Sequence, residues 1–447
     1  MSINISQIGL SKSSLQKFLD SYQYILSIAA TIIFFSEVAE YLLDIKVSPI
    51  NALVWIAVFT LLALPFAKKI RLMPRPLVVG MIIYLSVAIL SLLTVSADEF
   101  AVQEIRTRFL SAYFICLMYV IYNQKSLKHI KYTIIGIVIL SVFNNFLELA
   151  NPQLFSEINV GRPAGFYINP NRTATAMMLG MLLTVCDIKK PLRLPYVLFV
   201  GMGILPTFTR SAIIGWVIAI ILLTATRVLS DKRRTVILPL LTLVTFLIIA
   251  NPLQTLTNYF SGSGDNSRWN VLERLEQFQS PSLDDDSAQD RGAVAKEAWR
   301  MFGAHPFWGN GLASTVKWTV APFSTHNMYL YYMADHGIIG LIFLPGIIGI
   351  VVYGNKGEQK VVLTCYAVFL FVWGIFSHNV LETRYILLTF GLLSAMRSNI
   401  PQYFAYSPQE FQLALPPASS PPILPPARKQ RALPPANYQK TFPPTSD

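Results

Sequence analysis

The sequence predicts an all-α, polytopic integral membrane protein with about twelve transmembrane helices, one long periplasmic loop and both termini in the cytoplasm. Composition is the first observation behind this prediction, because 53% of the 447 residues are apolar and only 13% are charged. Soluble domains carry about a quarter charged residues. The second observation is a series of apolar runs close to the roughly twenty residues that a helix needs to cross a bilayer. The third is that the basic residues cluster between these runs.

The apolar runs divide the chain into four regions. Nine predicted spans precede residue 251, a long loop covers 251–326, three more spans occupy 327–400, and 401–447 form a tail. The predicted spans are 22–42, 49–67, 77–95, 109–123, 132–150, 173–187, 194–209, 211–226, 235–250, 327–353, 361–377 and 385–396.

The distribution of lysine and arginine predicts the orientation of these spans. With a cytoplasmic N-terminus, 23 of the 36 basic residues fall in cytoplasmic segments. Six others lie in the long loop, where the positive-inside rule loses force, so the short outer segments hold only seven. The net charge of +12 is therefore a topology signal and does not indicate a nucleic-acid partner. Two unusual connections, 151–172 and 251–326, then face outward, and any chemistry is expected there.

The long loop and the tail differ in composition. A helical stretch is predicted inside the loop, from about Arg291 to Phe302. From Pro416 onward the last 32 residues contain ten prolines, often in pairs, mixed with small and basic residues. Such a segment cannot bury a core, so we expect an extended, disordered cytoplasmic tail.

Several classes of site are not indicated by the sequence. The cysteines Cys116, Cys186 and Cys365 lie inside apolar runs without a partner at metal-ligand spacing, which predicts neither a disulfide framework nor a metal site. The chain has no glycine-rich phosphate loop, no associated lysine and no Asp-x-Asp pair in an outer loop. We therefore expect no metal, no cofactor and no energy input from a nucleotide.

Arg210 is the clearest candidate for a functional residue. It follows Thr-Phe-Thr and precedes Ser-Ala, at the tight junction of two spans near the outer surface. An arginine at mid-membrane costs about 2.5–3.5 kcal/mol on insertion scales, so it needs a partner or a function. It could be an interfacial arginine that holds the turn. A bidentate contact with a phosphate fits at least as well, because the planar guanidinium matches phosphate oxygens.

The outer loop before the sixth span is rich in turn-forming and polar residues. Positions 161 to 172 read Gly-Arg-Pro-Ala-Gly-Phe-Tyr-Ile-Asn-Pro-Asn-Arg. Asn171 is a plausible cap for the helix that begins near Thr173. Capping does not explain the whole cluster, so Arg162 or Arg172, with Asn169 and Asn171, is a candidate contact for an anionic substrate.

His326 and Asn327 stand where the long loop ends and an apolar helix begins. A histidine at the interface can exchange a proton near neutral pH, which suits a general base worth about 10² to 10⁴ in rate. A hydrogen-bonded interfacial role is the other interpretation. His336 is ten residues further on, too far along a helix to bind one metal together with His326. His378 and Arg384 flank another outer turn and rank lower as candidates.

Three glutamates lie near the outer ends of their predicted spans. Carboxylates inside membrane segments are functional suspects by default. Because Glu37, Glu40 and Glu148 are close to the interface, we expect them to reach water and to have no special role.

These residues occur in motifs that resemble the O-antigen ligase and polymerase superfamily of bacterial envelope glycosyltransferases. The resemblance covers roughly residues 150–350. The motifs are Gly-Phe-Tyr-Ile-Asn-Pro-Asn at 165–171, Thr-Phe-Thr-Arg-Ser-Ala at 207–212, Arg291 followed by Ala298-Trp299, His-Pro-Phe-Trp-Gly-Asn-Gly at 305–311, and His326-Asn327 leading into Asp335-His336-Gly337.

The resemblance implies a lipid-linked saccharide donor, usually on undecaprenyl diphosphate, and transfer to an acceptor hydroxyl at the periplasmic face of the bacterial inner membrane without nucleotide or metal. It implies that His326 deprotonates the acceptor, which could be a glycan, a lipid or a protein, while Arg210 and Arg291 hold the diphosphate. Asn327 would assist at the same site. The sequence departs from the family pattern at Asp335, where glutamate is usual, and at Phe208, where a smaller residue is usual.

Other functions remain open at this point. A membrane transporter of the inorganic-carbon type, as described for some relatives of this family, predicts buried polar residues near mid-membrane and two matching halves. A protein O-oligosaccharyltransferase differs from a glycan ligase only in its acceptor. A noncatalytic scaffold would depend on the Pro-rich tail.

Overall fold

The computed structural model describes residues 12–48, 50–93, 98–151, 154–155, 162–231, 286–318 and 325–405. Every regular element in these ranges is a helix, which confirms the all-α class. Residues 1–400 form one compact unit and residues 401–447 a second, of which only the end of the last helix is described.

The described ranges contain fifteen α-helices with short 3₁₀ turns between some of them. They are α1 (Lys12–Phe35), α2 (Val38–Asp44), α3 (Ala52–Ala63), α4 (Arg75–Leu93), α5 (Glu99–Tyr122), α6 (Lys128–Ala150), α7 (Pro170–Thr184), α8 (Lys190–Ile204), α9 (Arg210–Ala225), α10 (Asp286–Ala304), α11 (Ser314–Trp318), α12 (Met328–His336), α13 (Gly340–Val352), α14 (Gly357–Phe376) and α15 (Arg384–Ala405). The helix predicted from Arg291 to Phe302 is confirmed as the greater part of α10.

Seven segments of the described ranges are long and apolar enough to cross a membrane, so the chain is a multi-pass membrane protein. The predicted spans 173–187 and 194–209 fall on α7 and α8, which have fifteen residues each and are short for a full crossing. The predicted span 235–250 lies outside the described residues. The number of twelve spans and their orientation stay predictions. The seven segments are Ser13–Phe35, Ala52–Leu72, Arg75–Leu93, Glu99–Tyr122, Lys128–Ala150, Met328–Val352 and Gly357–Phe376.

The segment predicted as one helical span, 327–353, is broken into α12 and α13. Gly337 ends α12 with a φ of 65°, a backbone conformation that costs glycine little and other residues much. A Cβ atom on Gly337 would lie 2.5 Å from the carbonyl carbon of Phe307, and one on Gly340 would lie 2.0 Å from the carbonyl oxygen of Tyr332. Apolar content predicted the length correctly but could not show this break.

The loop after α10 binds the end of α12. The backbone N–H of Asn310 donates to the carbonyl of Ala334 over 2.9 Å, and that of Gly311 donates to the carbonyl of Asp335 over 3.0 Å. Gly309 lies so close that a Cβ would be 2.3 Å from the Asp335 carbonyl oxygen. Two motifs recognised in the sequence, at 305–311 and 335–337, thus hold each other in place.

The carboxylate of Asp335 completes this junction. It is fully buried and accepts hydrogen bonds from the Ser314 hydroxyl at 2.7 Å, from the Thr315 hydroxyl at 2.9 Å, and from the backbone N–H groups of Ala313 and Thr315 at 3.0 Å each. A buried carboxylate with this many donors is satisfied as a charged acceptor. Asp335 therefore ties α11 to α12.

Charged side chains gather at two ends of the helix assembly. At one end, Lys131 at the start of α6 pairs with Asp187 after α7 at 2.8 Å, and Arg193 in the first turn of α8 pairs with Glu358 at the start of α14 at 2.7 Å. The other end, which we call the Arg172 end, holds the C-terminal ends of α1, α6, α8 and α14 and the N-terminal ends of α7, α9 and α15. Among the residues predicted to face outward, Arg162, Arg172, Arg210 and Arg384 lie at the Arg172 end.

The packing of α8 on α9 depends on a glycine. A Cβ atom on Gly201 would lie 2.1 Å from Cζ2 of Trp216. The indole cannot easily move away, because Trp216 is buried and its Nε1–H donates to the Val197 carbonyl at 2.9 Å. Close helix contact through a small residue is typical of membrane proteins.

We expect Gly201→Ala to destabilise the protein by about 1–3 kcal/mol through overpacking against Trp216. Gly136→Ala in α6 is the matched control, because a Cβ there meets no atom within 4 Å. Both substitutions gain helix propensity, so Gly136→Ala should be neutral or slightly stabilising. Thermal unfolding of the purified variants in detergent measures the difference. Equal melting temperatures for the two variants would contradict the described helix contact.

Candidate active site

A polar cavity of about 250 Å³ lies at the Arg172 end. Its walls come from α2, α3, α5, α7 and α15, from Glu37 before α2 and from the connection between α14 and α15. Four apolar side chains close it toward the interior of the bundle, and the remaining lining is charged or hydrogen-bonding. The lining residues are Glu37, Glu40, Ile56, Thr107, Leu110, Ser111, Phe114, Arg172, Asn379, Glu382, Thr383, Arg384 and Leu387.

A network of four charges forms one wall of this cavity. Nη1 of Arg172 lies 3.0 Å from Oε2 of Glu40 and 3.4 Å from Oε2 of Glu37, and Arg384 forms a further ion pair with Glu40. Glu37 has a φ of 53°, and this turn directs the chain from α1 into α2. The network therefore joins α2, α7 and α15. Arg172 and Arg384 are brought together, as their predicted outer position required.

The expectation that Glu37 reaches water was wrong. Glu37 is only 4% exposed, although it lies beyond the span Ser13–Phe35. Burial raises the pKa of the Glu37 carboxyl, and the positive charges of Arg172 and Arg384 oppose that rise. The pKa of Arg172 is raised, chiefly by the negative charge of Glu37. The two groups therefore depend on each other for their charged states.

Glu148 is also buried, for a different reason. Its Oε2 accepts hydrogen bonds from the backbone N–H groups of Ala164 and Gly165, both at 2.7 Å. Gly165 adopts a φ of 53°, and its Cβ would lie 3.2 Å from that of Asn144. Glu148 thus anchors the loop before α7 to the end of α6. The expectation that Glu148 reaches water was wrong.

The loop residues Arg162 and Asn171 join α7 to the junction between α8 and α9. Arg162 donates through Nε to the Thr207 carbonyl at 3.0 Å and through Nη2 to Oδ1 of Asn171 at 3.0 Å. The Thr209 hydroxyl donates to the same Asn171 oxygen at 3.1 Å. The side chains that were candidates for an anionic substrate are therefore bound to each other and to the motif that precedes Arg210.

The helix cap predicted at Asn171 is instead formed by Asn169. Pro170 is the first residue of α7, where its fixed φ suits the helix and its missing N–H is not needed. Oδ1 of Asn169 accepts from the backbone N–H of Asn171 at 2.9 Å. The helix begins three residues earlier than Thr173, the start assumed in the sequence analysis.

Arg210 is the first residue of α9 and its side chain is exposed. Phe208 adopts a φ of 50°, which turns the chain sharply between α8 and α9. Thr207 and Thr209 hold this turn, since the Thr207 hydroxyl donates to the Thr209 oxygen at 3.0 Å. The positive end of the α9 dipole and the guanidinium of Arg210 both favour a negative ligand at this point.

His326 is exposed and lies beside a second histidine. The ring centroids of His326 and His378 are 5.6 Å apart. Burial and the neighbouring His326 lower the pKa of His378 to about 4, so His378 is neutral at physiological pH. His378 belongs to the connection between α14 and α15, which also supplies Asn379 and Glu382 to the cavity. His326 thus contacts the connection that contributes one wall of the cavity.

Asn327, predicted to contact substrate, is the N-cap of α12. Its Oδ1 accepts from the backbone N–H groups of Tyr329 at 3.0 Å and Leu330 at 3.1 Å. These contacts fix the direction in which α12 leaves the loop and hence the position of His326. Arg291 lies in α10, but its side chain is outside the described residues, so its convergence with Arg210 and His326 stays a prediction.

A buried polar cluster near this site was missed in the sequence analysis. Arg108 in α5 is 1% exposed, pairs with Glu104 at 2.8 Å and donates through Nη1 to Nε2 of His336 at 2.7 Å. Because the guanidinium keeps its protons, Nε2 of His336 must be the acceptor, and Nδ1 carries the proton toward the Ser91 hydroxyl at 2.7 Å. Arg108 lies one residue before the predicted span 109–123, so the rule that an arginine in an apolar span requires a partner was not applied to it.

The comparison with known families agrees with this geometry. Residues 195–344, about a third of the chain, match the family model described as O-antigen ligase. These residues are thus similar to an O-antigen ligase domain, and we refer to them by that name below. The match confirms the resemblance carried by the motifs and supports a glycan transferase of the ligase or polymerase type in the membrane. Neither a curated protein nor a solved structure matches the chain. Arg210, Arg291 and His326 all lie within the O-antigen ligase domain.

We expect Arg172→Met to lower the free energy of unfolding by more than the loss of an exposed ion pair would. The reason is that the substitution leaves the buried Glu37 without its nearest cation. The cost should lie between the roughly 1 kcal/mol of an exposed pair and the roughly 3–5 kcal/mol of a fully buried one. Arg300→Met is the matched control, since Arg300 pairs with Glu297 and is 65% exposed.

The loss of stability of Arg172→Met relative to wild type, its stability deficit, should also depend on pH. A carboxyl whose native pKa lies above its ordinary value binds a proton more readily when folded, so stability is lost as pH rises through the native pKa. Thermal unfolding should therefore show a larger deficit at pH 8 than at pH 5. A deficit that is independent of pH, or one that Arg300→Met equals, would contradict the pairing of Glu37 with Arg172.

Substitutions of Asn327 distinguish a helix cap from a substrate contact. Asn327→Asp keeps the acceptor oxygen, so its free energy of unfolding should lie within about 0.5 kcal/mol of the wild-type value. Asn327→Ala should lower the free energy of unfolding by about 1 kcal/mol. Glycan transfer should follow the same order. If the amide nitrogen of Asn327 binds substrate, the aspartate variant will transfer as poorly as the alanine variant despite its intact fold.

Proposed function

We propose that the protein transfers a saccharide from an undecaprenyl diphosphate donor to an acceptor hydroxyl at the periplasmic face of a bacterial inner membrane. The observation that carries the proposal is the exposed position of His326 within the O-antigen ligase domain, beside His378, which directly precedes the cavity-lining Asn379. Arg210 supports it from the same end of the assembly, at the N-terminus of α9.

The reaction requires a base and a group that receives negative charge. His326 takes the proton of the acceptor hydroxyl as the acceptor oxygen bonds to the anomeric carbon of the donor sugar. The bond between that carbon and the diphosphate oxygen breaks, and undecaprenyl diphosphate leaves with the electron pair. Arg210 and Arg291 stabilise the charge that develops on the diphosphate. The donor is already activated, so the step needs no nucleotide.

His378 helps His326 to act as a base. Two imidazolium rings this close would repel each other, and each would resist protonation. Because His378 is neutral near pH 7, a proton on His326 meets no second positive ring. His378 is a positioning residue in this proposal, since its ring contacts His326 and belongs to the connection that lines the cavity.

The remaining predicted site residues support the reacting groups. Arg162 and Asn171 hold the α8–α9 junction that presents Arg210, and Asn169 and Asn327 cap helices at this end. Arg172 holds the cavity wall through Glu37 and Glu40. We propose that they position substrate and catalytic groups. The acceptor in this proposal is a glycan, a lipid core or a protein hydroxyl.

One observation favours transport as a second candidate function. The cluster of Arg108, Glu104 and His336 is buried between two candidate spans, Glu99–Tyr122 and Met328–Val352. Buried polar groups of this kind are expected in a carrier of the inorganic-carbon type. Uptake of bicarbonate into proteoliposomes without any glycan donor would support transport, and a glycan transferase should show none.

We expect His326→Ala to lower glycan transfer by about 10²- to 10⁴-fold, the usual contribution of a general base. In a deletion strain that carries this variant, lipid-linked glycan should accumulate and wild-type protein should restore the product. His129→Gln is the control, because His129 lies at the opposite end of the chain's helices and binds the Ser27 hydroxyl at 2.9 Å. Normal transfer by a correctly folded His326→Ala variant would reject the proposal.

A further inference from the structure

We propose that the cavity at the Arg172 end is a saccharide subsite in which the Glu382 carboxylate accepts hydrogen bonds from sugar hydroxyls. The inference rests on the proposed function, because it assigns a part of the substrate to a place in the same site. It is carried by the chemistry of the lining, by the pairing of its charges and by its location in the chain.

The lining suits a neutral, polyhydroxylated ligand. It combines carboxylates that accept hydrogen bonds, guanidinium groups that donate, and amide and hydroxyl groups that do both. Sugars present donors and acceptors on every side, so a cavity with both kinds of group can satisfy them. The volume of about 250 Å³ lies just below the roughly 300–1,000 Å³ of pockets for drug-sized ligands, which fits a small saccharide unit.

The charges in the cavity disfavour a diphosphate. Arg172 is paired with Glu37 and Glu40, and Arg384 is paired with Glu40, so both positive charges are already offset. With Glu382 the cavity has three carboxylates and two guanidinium groups. An anionic group would meet repulsion from the carboxylates, whereas the exposed Arg210 at the N-terminus of α9 offers it a favourable place.

Among the described residues, the Glu382 carboxylate is a cavity acceptor without a bound donor. Its backbone N–H donates to the Asn379 carbonyl at 3.1 Å, but its carboxylate forms no hydrogen bond or ion pair with the residues that the structure describes. Burial raises the pKa of the carboxyl to about 7, and the negative charge of Glu104 adds to the rise while Arg108 opposes it. The half-buried carboxylate lines the cavity, where a sugar hydroxyl can donate a hydrogen bond to it.

The subsite is close to the proposed base and separate in sequence from the O-antigen ligase domain. Glu382 and Asn379 lie in the same connection as His378, whose ring contacts that of His326. Every residue that lines the cavity lies outside 195–344, the matched segment. The structure therefore places elements from the rest of the chain against the part that carries the proposed reaction.

Binding of three probes to Glu382→Gln tests the subsite. The full chain in lipid nanodiscs is titrated with lipid-linked glycan purified from membranes of the His326→Ala strain, with free glycan released from the finished product, and with undecaprenyl diphosphate that carries no sugar. We expect Glu382→Gln to bind at least one glycan probe about 10-fold more weakly than wild type, because it loses charge-assisted hydrogen bonds. Affinity for undecaprenyl diphosphate should be unchanged.

The probes for which Glu382→Gln loses affinity identify which sugar occupies the cavity. They also distinguish failure of the subsite from failure of the proposed function. Loss for the lipid-linked glycan alone assigns the donor sugar, and loss for the free glycan assigns the acceptor side. Glu99→Gln, an exposed carboxylate in the first turn of α5, is the control and should bind every probe as wild type does. Equal affinity of Glu382→Gln and wild type for both glycans, or a loss that includes undecaprenyl diphosphate, overturns the subsite. If wild-type protein binds no glycan probe, the proposed function fails with it.

Discussion

The ion pairs among Glu37, Arg172, Glu40 and Arg384 hold together the end of the molecule where the candidate site lies. Charges near the hydrocarbon region are expensive unless each has a partner, so a group of four that neutralise one another restricts how the helices can be arranged. In this protein the four side chains belong to α2, α7, α15 and the turn before α2. Displacing one of these elements would leave a charged side chain without its ion-pair partner, and the cavity wall would be lost.

A second junction, built from backbone groups, positions the proposed base. The loop at 305–311 hydrogen-bonds to the end of α12, and the Asp335 carboxylate binds three consecutive residues at the start of α11. Asn327 caps the other end of α12. His326 thus precedes a nine-residue helix fixed at both ends, which is the rigid support that a catalytic group needs. Several motif residues therefore serve to hold this support in place.

The sequence predicted what depends on local pattern and failed where distant residues meet. Apolar runs gave the helical class and most helix positions, and the helix inside the long loop was found from its own residues. Arg172 was taken as a contact for an anion because its partner, Glu37, is 135 positions away and no local pattern links them. Gly337 shows the same limit, since the close approach of Phe307 that requires it comes from another segment. Arg108 was missed for another reason, because the predicted span began one residue after it, whereas the structure places it within the apolar segment Glu99–Tyr122.

The division between the O-antigen ligase domain and the cavity suggests how one reaction can serve different sugars. Arg210, Arg291 and His326 lie inside the matched segment, and in the proposed reaction they act only on the diphosphate and the proton, which every donor and acceptor of this class share. The cavity is built from residues before 195 and after 344. Changes there alter which hydroxyls find partners without moving the reacting groups. Selectivity of this kind can be strong, because a sugar that lacks a required hydroxyl leaves a lining acceptor such as Glu382 without its hydrogen bond.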